Sequence, residues 1–275
     1  MNDRRKGVNL PMKAGPTVPR SSAPTCGLGG GSGGRVGTSG PWPSPKTLIS
    51  IIIPVLNEAR VLAGTLAGLP VAPDVEVILV DGGSTDSTWE QAGSFSYVHR
   101  LKSPRGRGRQ MNAGARLARG EVLVFLHADT LLTAAHLKAI RQAAADPQFA
   151  AGAFELSLTP PSAALKLIAW GANWRSRVFG LPYGDQVLIL RRALFFTLGG
   201  FAHRPPEDLD LVIRLKRLAR LRLLTPPVAS SGRRWREHGY CHTTLRHWLL
   251  LARHLAERTF THRWPAQGEV EQESL

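Results

Sequence analysis

Two short polar segments end apolar runs and carry side chains that could do chemistry. His127-Ala128-Asp129 follows the run "VFL", and Asp81-Gly82-Gly83 follows the run "VEVILV". Carboxylates at neighbouring strand ends can ligate a hard cation or accept hydrogen bonds from a ligand's hydroxyl and amide groups. The imidazole of His127 can ligate Mn²⁺ but suits Mg²⁺ poorly. A simpler interpretation stands for each aspartate alone, which would then only cap the next helix.

An arginine-rich loop lies between these two segments. The stretch "SPRGRGRQMNAG" contains Arg105, Arg107 and Arg109 with glycines between them. Closely spaced arginines and glycines before a helix N-terminus suit a phosphate group. Acidic, basic and glycine residues together indicate a metal-bridged diphosphate site.

A further acidic pair, Glu207-Asp208, directly follows two prolines in "RPPEDLDLVIRLKR". Acidic residues in the first turn of a helix complement its dipole, which would be a purely structural role. The functional alternative is that one of the pair is a general base, with its position fixed by the prolines.

Alternating strands and helices must position these side chains. The apolar patterns predict strands at 48–55, 75–80, 96–101, 121–126, 151–158 and 186–190. They predict helices at 57–69, from 84 onward, and at 108–118, 134–145, 163–178 and 207–220. Short connections between such elements imply a parallel sheet with helices on both faces. Ligands bind such sheets beyond the carboxyl ends of the strands, where Asn57-Glu58 and the two aspartate segments should converge.

Charge and cysteine content limit which binding partners and which cellular compartment we expect for this protein. The formal net charge is +15 and the pI is about 11.1, so the surface should attract nucleic acid, anionic lipid or phosphorylated substrates. Two cysteines make no disulfide framework, which indicates a reducing compartment. No apolar run reaches the roughly 18 to 20 residues of a spanning helix, and the N-terminus lacks a secretory pattern. We therefore expect a cytoplasmic protein, free or peripheral on the inner face of the cell membrane.

Composition also divides the chain into three parts. Residues 1–46 are rich in Gly, Pro and Ser and predict a disordered tail. Residues 47–240 form the expected domain, and 241–275 an amphipathic helix and tail. Within the latter, 243–260 places Leu and Trp on one helical face and Arg on another. This segment either packs on the domain or contacts a membrane surface.

Several motifs resemble those of family 2 glycosyltransferases, enzymes of the GT-A fold that use nucleotide sugars. "SIIIPVLNE", "VDGGSTD", "FLHADT", "GDQVLILRR" and "PEDLDLVIRLKR" occur in the order and spacing of that family, over about residues 48 to 240. "GRGRQMNAGA", "HADT", "YGDQ" and "SGRRW" resemble the bacterial arsenosugar-biosynthesis or selenodomain-associated subgroup. The resemblance implies an α/β GT-A fold, with a mostly parallel Rossmann-like sheet and helices on both faces.

The resemblance also implies an inverting transfer, with Asp208 as catalytic base beside Glu207. Asp129 would ligate a divalent metal, Mn²⁺ or Mg²⁺, and His127 would be a second ligand or only orient Asp129. The residues that it places at the nucleotide sugar are Pro54, Asn57, Glu58, Asp81, Gly82, Arg107, Arg109, Asn112, Gly184, Asp185, Gln186, Arg234 and Trp235.

Two departures from the family pattern bear on the metal. The usual Asp-Asp-Gly-Ser is Asp81-Gly82-Gly83-Ser84 here, and the usual Asp-x-Asp is His127-Ala128-Asp129. The missing carboxylates should weaken metal binding.

Partners follow from this interpretation: a nucleotide-diphosphate sugar donor, a small-molecule or lipid-like hydroxyl acceptor, and no nucleic acid. Two rivals stay open. A non-catalytic sugar-nucleotide binder would explain the missing carboxylates, and a nucleic-acid-binding protein would explain the charge. Against nucleic acid, the arginine loop lacks interleaved aromatic residues.

Overall fold

The computed structural model describes residues 49–182, 185–233, 235, 239 and 249. In chain order the elements are β1 (Ile49–Val55), α1 (Ala59–Ala67), β2 (Val75–Asp81), α2 (Thr88–Gly93), β3 (Val98–Lys102), α3 (Arg107–Leu117), β4 (Val122–Phe125), β5 (Thr130–Leu131), α4 (Ala134–Ala145), β6 (Ala151–Thr159), α5 (Ala163–Phe179), β7 (Leu188–Arg191), α6 (Arg192–Thr197), α7 (Glu207–Leu215) and β8 (Leu221–Ser231). The tail expected at 1–46 and nearly all of 241–275 lie outside the described residues.

One sheet with the strand order β3-β2-β1-β4-β7-β6-β8-β5 organises this part of the chain. The strands β3, β2, β1 and β4 pair in parallel. β7 runs antiparallel to both β4 and β6, and β8 runs parallel to β6. The first half is thus the predicted parallel sheet, and the second half is mixed.

The sheet is covered on both faces. Ile49, Ile51 and Ile53 of β1 join a core cluster with α1 and α4, whereas Ile52 joins a second cluster with α3 and α7. Each of these isoleucines is fully buried, a burial that stabilises by about 1.5–3 kcal/mol per side chain. The continuous β-branched run of β1 therefore reflects a strand buried on both faces.

The structure differs from the sequence prediction at two boundaries near the site. α1 begins at Ala59, because Asn57 has a positive φ of 55° and cannot continue a helix. α7 ends at Leu215 rather than at 220, and β8 follows almost at once. Pro226 and Pro227 lie within β8, where its register with β6 shifts between Phe154 and Leu156. A proline cannot donate to the ladder, so it is tolerated at such an irregularity.

Candidate active site

The loops that follow β1 and β2 are tied together. The backbone N–H of Asn57 donates to Oγ of Ser84 at 3.0 Å, and that of Thr85 donates to Oδ1 of Asn57 at 2.8 Å. The N–H of Glu58 donates to Oγ1 of Thr88 at 2.8 Å. The two loops therefore form one surface at the carboxyl end of the parallel strands. Asn57 and Glu58 are part of that surface.

Asp81 ends β2 and is almost fully buried. Its carboxylate accepts hydrogen bonds from the backbone N–H groups of Gly83 and Ser84 at 3.3 and 3.1 Å, and from the hydroxyl of Ser84. In this arrangement Asp81 holds the turn after its own strand, whereas α2 begins only at Thr88. Pro54 is half-buried in the neighbouring strand β1, where it pairs with Val80.

Gln110, which the sequence analysis missed, fastens the ends of β1 and β2. Its Nε2 donates to the carbonyl oxygens of Val55 and Val80, at 2.7 and 2.9 Å. A Cβ on Gly82 would lie 2.9 Å from Cδ of Gln110, so this glycine makes room for the amide. The available signal was a polar amide in the predicted helix 108–118, because a buried amide needs hydrogen-bond partners.

Arg107 joins three elements at the centre of the site. It is the first residue of α3 and follows Gly106, whose φ of 136° turns the chain into the helix. Its Nη2 lies 3.0 Å from Oδ2 of Asp208, and its Nε lies 3.6 Å from Oε1 of Glu207, both in the first turn of α7. Its Nη2 also contacts Nε2 of His127, just after β4.

Both ring nitrogens of His127 are engaged by protein groups. Nδ1 lies 2.8 Å from Oδ1 of Asp185, while Nε2 faces the guanidinium of Arg107. Arginine has only donors, so Nε2 accepts and Nδ1 carries the proton that it donates to Asp185. In this arrangement the imidazole of His127 links the carboxylate of Asp185 to the guanidinium of Arg107.

Four carboxylates surround the guanidinium of Arg107. Burial lowers the pKa of Arg107, but the carboxylates of Asp208, Glu207, Asp185 and Asp129 raise it, and the net direction is upward. The guanidinium therefore stays charged. With four carboxylates and one cation, the cluster is net negative, which favours binding of a further cation.

Asp129 lies beside the end of β8. The backbone N–H of Ser231 donates to the carbonyl oxygen of Asp129 at 3.2 Å, and the N–H of Gly232 donates to that of Thr159 at 2.8 Å. Among the residues that the structure describes, no three His, Cys, Asp or Glu side chains form a ready metal-ligand set. Side chains in this part of the chain alone thus do not supply a complete ligand set at Asp129 and His127.

A small cavity borders this cluster. Its polar wall contains Arg107, His127 and Asp208. The rest of its lining is Phe125, Ala153, Pro182, Gln186, Val187, Leu188 and Val212. Asp208 therefore lines this cavity together with Arg107 and His127.

Two polar residues expected near the nucleotide sugar are engaged by the scaffold. The side-chain amide of Asn112 donates to the carbonyl of Phe201 and accepts from its N–H, both at 2.9 Å. The amide of Gln186 accepts from the hydroxyl of Ser176 at 2.8 Å and from Nη2 of Arg175 at 3.2 Å. Both amides fix the backbone around the site, and Gln186 also lines the cavity.

The remaining predicted residues fall in different places. Arg109 is exposed. Trp235 is buried in an apolar cluster with side chains of β6 and α5. Arg233, which the sequence analysis did not single out, lies 3.3 Å from Oε2 of Glu58 through its Nη2. Gly184 and Arg234 lie outside the described residues.

Comparison with known proteins adds a family match. Residues 50–164 match the model described as glycosyl transferase family 2. A PGL/p-HBAD biosynthesis glycosyltransferase of Mycobacterium bovis is 42% identical over 94 residues, which are 31% of this chain and 36% of that protein. Validoxylamine A glucosyltransferase of Streptomyces hygroscopicus subsp. limoneus is 34% identical over 116 residues, 36% of this chain and 24% of that protein. The chain thus matches about a third or less of the length of these relatives.

Solved structures establish the fold. The mannosyltransferase PcManGT from Pyrobaculum calidifontis, in complex with GDP-Man and Mn²⁺, gives a TM-score of 0.58 at 22% identity, over 82% of this chain and 70% of that one. S. aureus TarS 1-349 with UDP-GlcNAc gives 0.53 at 21% identity, over 67% and 58%. The predicted GT-A fold is confirmed. None of these descriptions names the arsenosugar or selenodomain subgroup, which stays a prediction.

None of the helices that the structure describes is both long and apolar enough to cross a bilayer.

Proposed function

We propose that this chain is an inverting glycosyltransferase that moves a sugar from a nucleotide-diphosphate sugar to a hydroxyl acceptor. The observation that carries the proposal is the position of Asp208, which Arg107 holds beside a cavity. Family 2 similarity over residues 50–164 and relatives named as glycosyltransferases support it.

Asp208 is the proposed general base. Its side chain is 17% exposed, so it can meet an acceptor while Arg107 fixes its orientation. It takes the proton of the acceptor hydroxyl as that oxygen attacks the anomeric carbon. The bond from this carbon to the diphosphate oxygen breaks, and the nucleoside diphosphate leaves from the opposite face. Glu207 contacts Nε of the same guanidinium and helps to position it.

The donor is assigned to the surface around the ends of β1, β2 and β4. In this proposal the nucleoside lies against the loops that hold Pro54, Asn57, Glu58, Asp81 and Gly82. The diphosphate is assigned to Arg107, Arg109 and Arg234. Asn112 supports this region by holding the backbone of Phe201, and Trp235 is assigned next to Arg234. The segment Gly184, Asp185 and Gln186 faces the sugar or the acceptor.

A divalent cation, Mn²⁺ or Mg²⁺, at Asp129 is part of the proposal. The net negative cluster around Arg107 would repel a diphosphate unless a further cation compensated it. Divalent ions in such sites commonly use one or two carboxylates and complete their coordination with substrate phosphates. A cation held in this way needs only Asp129 and the substrate phosphates, so it does not require three protein ligands. The bound cation would neutralise charge on the leaving diphosphate, and the Pyrobaculum mannosyltransferase structure is a complex with Mn²⁺.

The acceptor is proposed only as a class, a small molecule or a lipid-like molecule with a hydroxyl group. A cytoplasmic location with peripheral membrane contact through 243–260 stays a prediction, since that segment lies almost wholly outside the described residues.

A panel of nucleotide sugars tests the proposal. The full chain would be titrated calorimetrically with UDP-, GDP- and dTDP-sugars in Mn²⁺, in Mg²⁺ and in EDTA, and nucleotide release would be followed with a cell extract as acceptor source. We expect one nucleotide class to bind in a metal-dependent way and to be released only when Asp208 is intact. Binding without Asp208-dependent release would support the non-catalytic binder, and failure of every donor to bind would overturn the proposal.

A further inference from the structure

Helix α5 packs on the domain through one side only. Leu165 and Ala169 belong to an apolar cluster with Leu156 and Leu158 of β6 and with Trp235. Ser176, two turns later on the same side, is buried against Gln186. The inward side of α5 is therefore fully occupied.

The opposite side of α5 is also apolar, but it faces solvent. Leu167, Trp170, Trp174, Val178 and Phe179 are between 43% and 67% exposed. The first four recur at intervals of three or four residues, so they form one stripe along the helix. We call these five residues the α5 outer face. A helix that is apolar on both sides is normally covered on both, which indicates that something covers this face.

The charge around the α5 outer face is positive. The sequence of α5 contains Lys166, Arg175 and Arg177 but no acidic residue. Lys166 is exposed next to the stripe. At the far end, Nζ of Lys216 donates to the carbonyl oxygen of Phe179, which brings another exposed ammonium group to the stripe. Arg177 is paired with Glu155, so the exposed lysines supply the uncompensated charge.

We propose that the α5 outer face is a membrane-docking surface that lies in the headgroup region of an anionic lipid bilayer. Tryptophans suit this region because one side of the ring system is apolar and its N–H can reach water. Lysines beside them are attracted to anionic headgroups, and the net charge of +15 acts in the same direction. This inference does not depend on the proposed function.

Vesicle co-sedimentation of the full chain tests the proposal. Vesicles of phosphatidylcholine alone would be compared with vesicles that also contain phosphatidylglycerol. We expect binding to the anionic vesicles and about a tenfold weaker partition for the double variant Trp170→Ser/Trp174→Ser. The matched control is Val71→Ser/Leu117→Ser, which removes two exposed apolar side chains outside the α5 outer face and should bind like the wild type. Thermal unfolding of each variant confirms that it is folded.

Three results would overturn the proposal. The first is equal vesicle binding by the tryptophan variant and the wild type. The second is that the full-length variant Trp248→Ser/Leu255→Ser loses vesicle binding while the tryptophan variant keeps it. This result would assign the membrane contact to the segment 243–260. The third is a wild-type dimer in sedimentation velocity that Trp170→Ser/Trp174→Ser dissociates, with no vesicle binding, which would make a second copy the occupant. Nucleotide-sugar binding by the tryptophan variant is a separate readout of the donor site.

Discussion

The guanidinium of Arg107 lies 3.0 Å from the carboxylate of Asp208, although 101 positions separate the two residues. Each belongs to the first turn of a helix, α3 and α7 respectively. This pair therefore connects the proposed phosphate-binding loop directly to the proposed base. A change in Arg107 should affect both donor binding and proton removal from the acceptor.

Replacement of Arg107 by Gln should lower turnover by about 100-fold, because Asp208 loses the group that orients it. The matched control is Arg109→Gln, an exposed arginine two residues further along the same helix, for which we expect mainly weaker donor binding. Steady-state rates and donor Kd for both variants would be compared. Equal rates in the two variants would contradict a special role for Arg107.

The variant Asp208→Asn should lower turnover by about 10²- to 10⁴-fold while donor binding survives, since a general base contributes roughly that much. Asp210→Asn is a suitable control on the same helix, because Asp210 pairs with Arg214 rather than with Arg107. Isothermal titration separates binding from turnover. An active Asp208→Asn enzyme would remove this residue from the role.

His127 provides a test of the metal site. We expect weak Mn²⁺ binding by the wild type without nucleotide, and about tenfold tighter binding by His127→Asp, because a further carboxylate raises affinity. His127→Ala should keep the Mn²⁺ affinity that is measured with nucleotide present. Electron paramagnetic resonance of free Mn²⁺ gives both values. Loss of Mn²⁺ binding in His127→Ala would identify the histidine as a ligand.

Two glycines in helices, Gly108 and Gly64, distinguish the effect of tight packing on stability from the effect of helix propensity. In Gly108→Ala the new Cβ would lie 2.1 Å from the carbonyl oxygen of Ala202, so we expect a loss of about 2–3 kcal/mol in the free energy of unfolding. At Gly64 in α1 nothing lies within 4 Å, so Gly64→Ala should stabilise by about 0.5–1 kcal/mol. Denaturant unfolding measures both. A stable Gly108→Ala variant would show that α3 can move away from Ala202.

Glu76 should make the fold sensitive to acid. Burial raises the pKa of Glu76, but hydrogen bonds from the hydroxyl of Ser50 and the N–H groups of Arg119 and Gly120 lower it, and the net pKa lies below 4.5. The resulting stability is present above the unfolded pKa and is lost as pH falls through the lower folded value.

The matched variant for this prediction is Glu76→Gln. It should be about 2 kcal/mol less stable than the wild type near neutral pH. The difference should shrink as pH falls below about 4. Melting temperatures over that range measure it, and a difference that is independent of pH would contradict the role of the carboxylate.

The local elements of the first half could be predicted from the sequence because they depend on short-range patterns. The helix Ala134–Ala145 matches its prediction residue for residue, and β1 ends at Val55 as predicted. β8 was missed because two adjacent prolines argue against a strand, and only the register shift against β6 accommodates them.

The contacts of the site depend on packing that no local pattern contains. The family resemblance assigns Asp185 to the sugar or acceptor side, but its contact with His127 depends on the direction of β7 and has no local signal. Likewise, the two carbonyls that Gln110 contacts belong to different strands. Tertiary structure therefore decides which of these side chains touch.

The antiparallel direction of β7 has a consequence for how this protein can diversify. The parallel strands contribute to the candidate site through the loops that follow them. β7 contributes through the loop that precedes it, where Asp185 contacts His127. That loop can lengthen or change sequence without altering the connections of the four parallel strands. Under the proposed function, acceptor preference can therefore change at one border of the site without a change in the strands that carry the donor side.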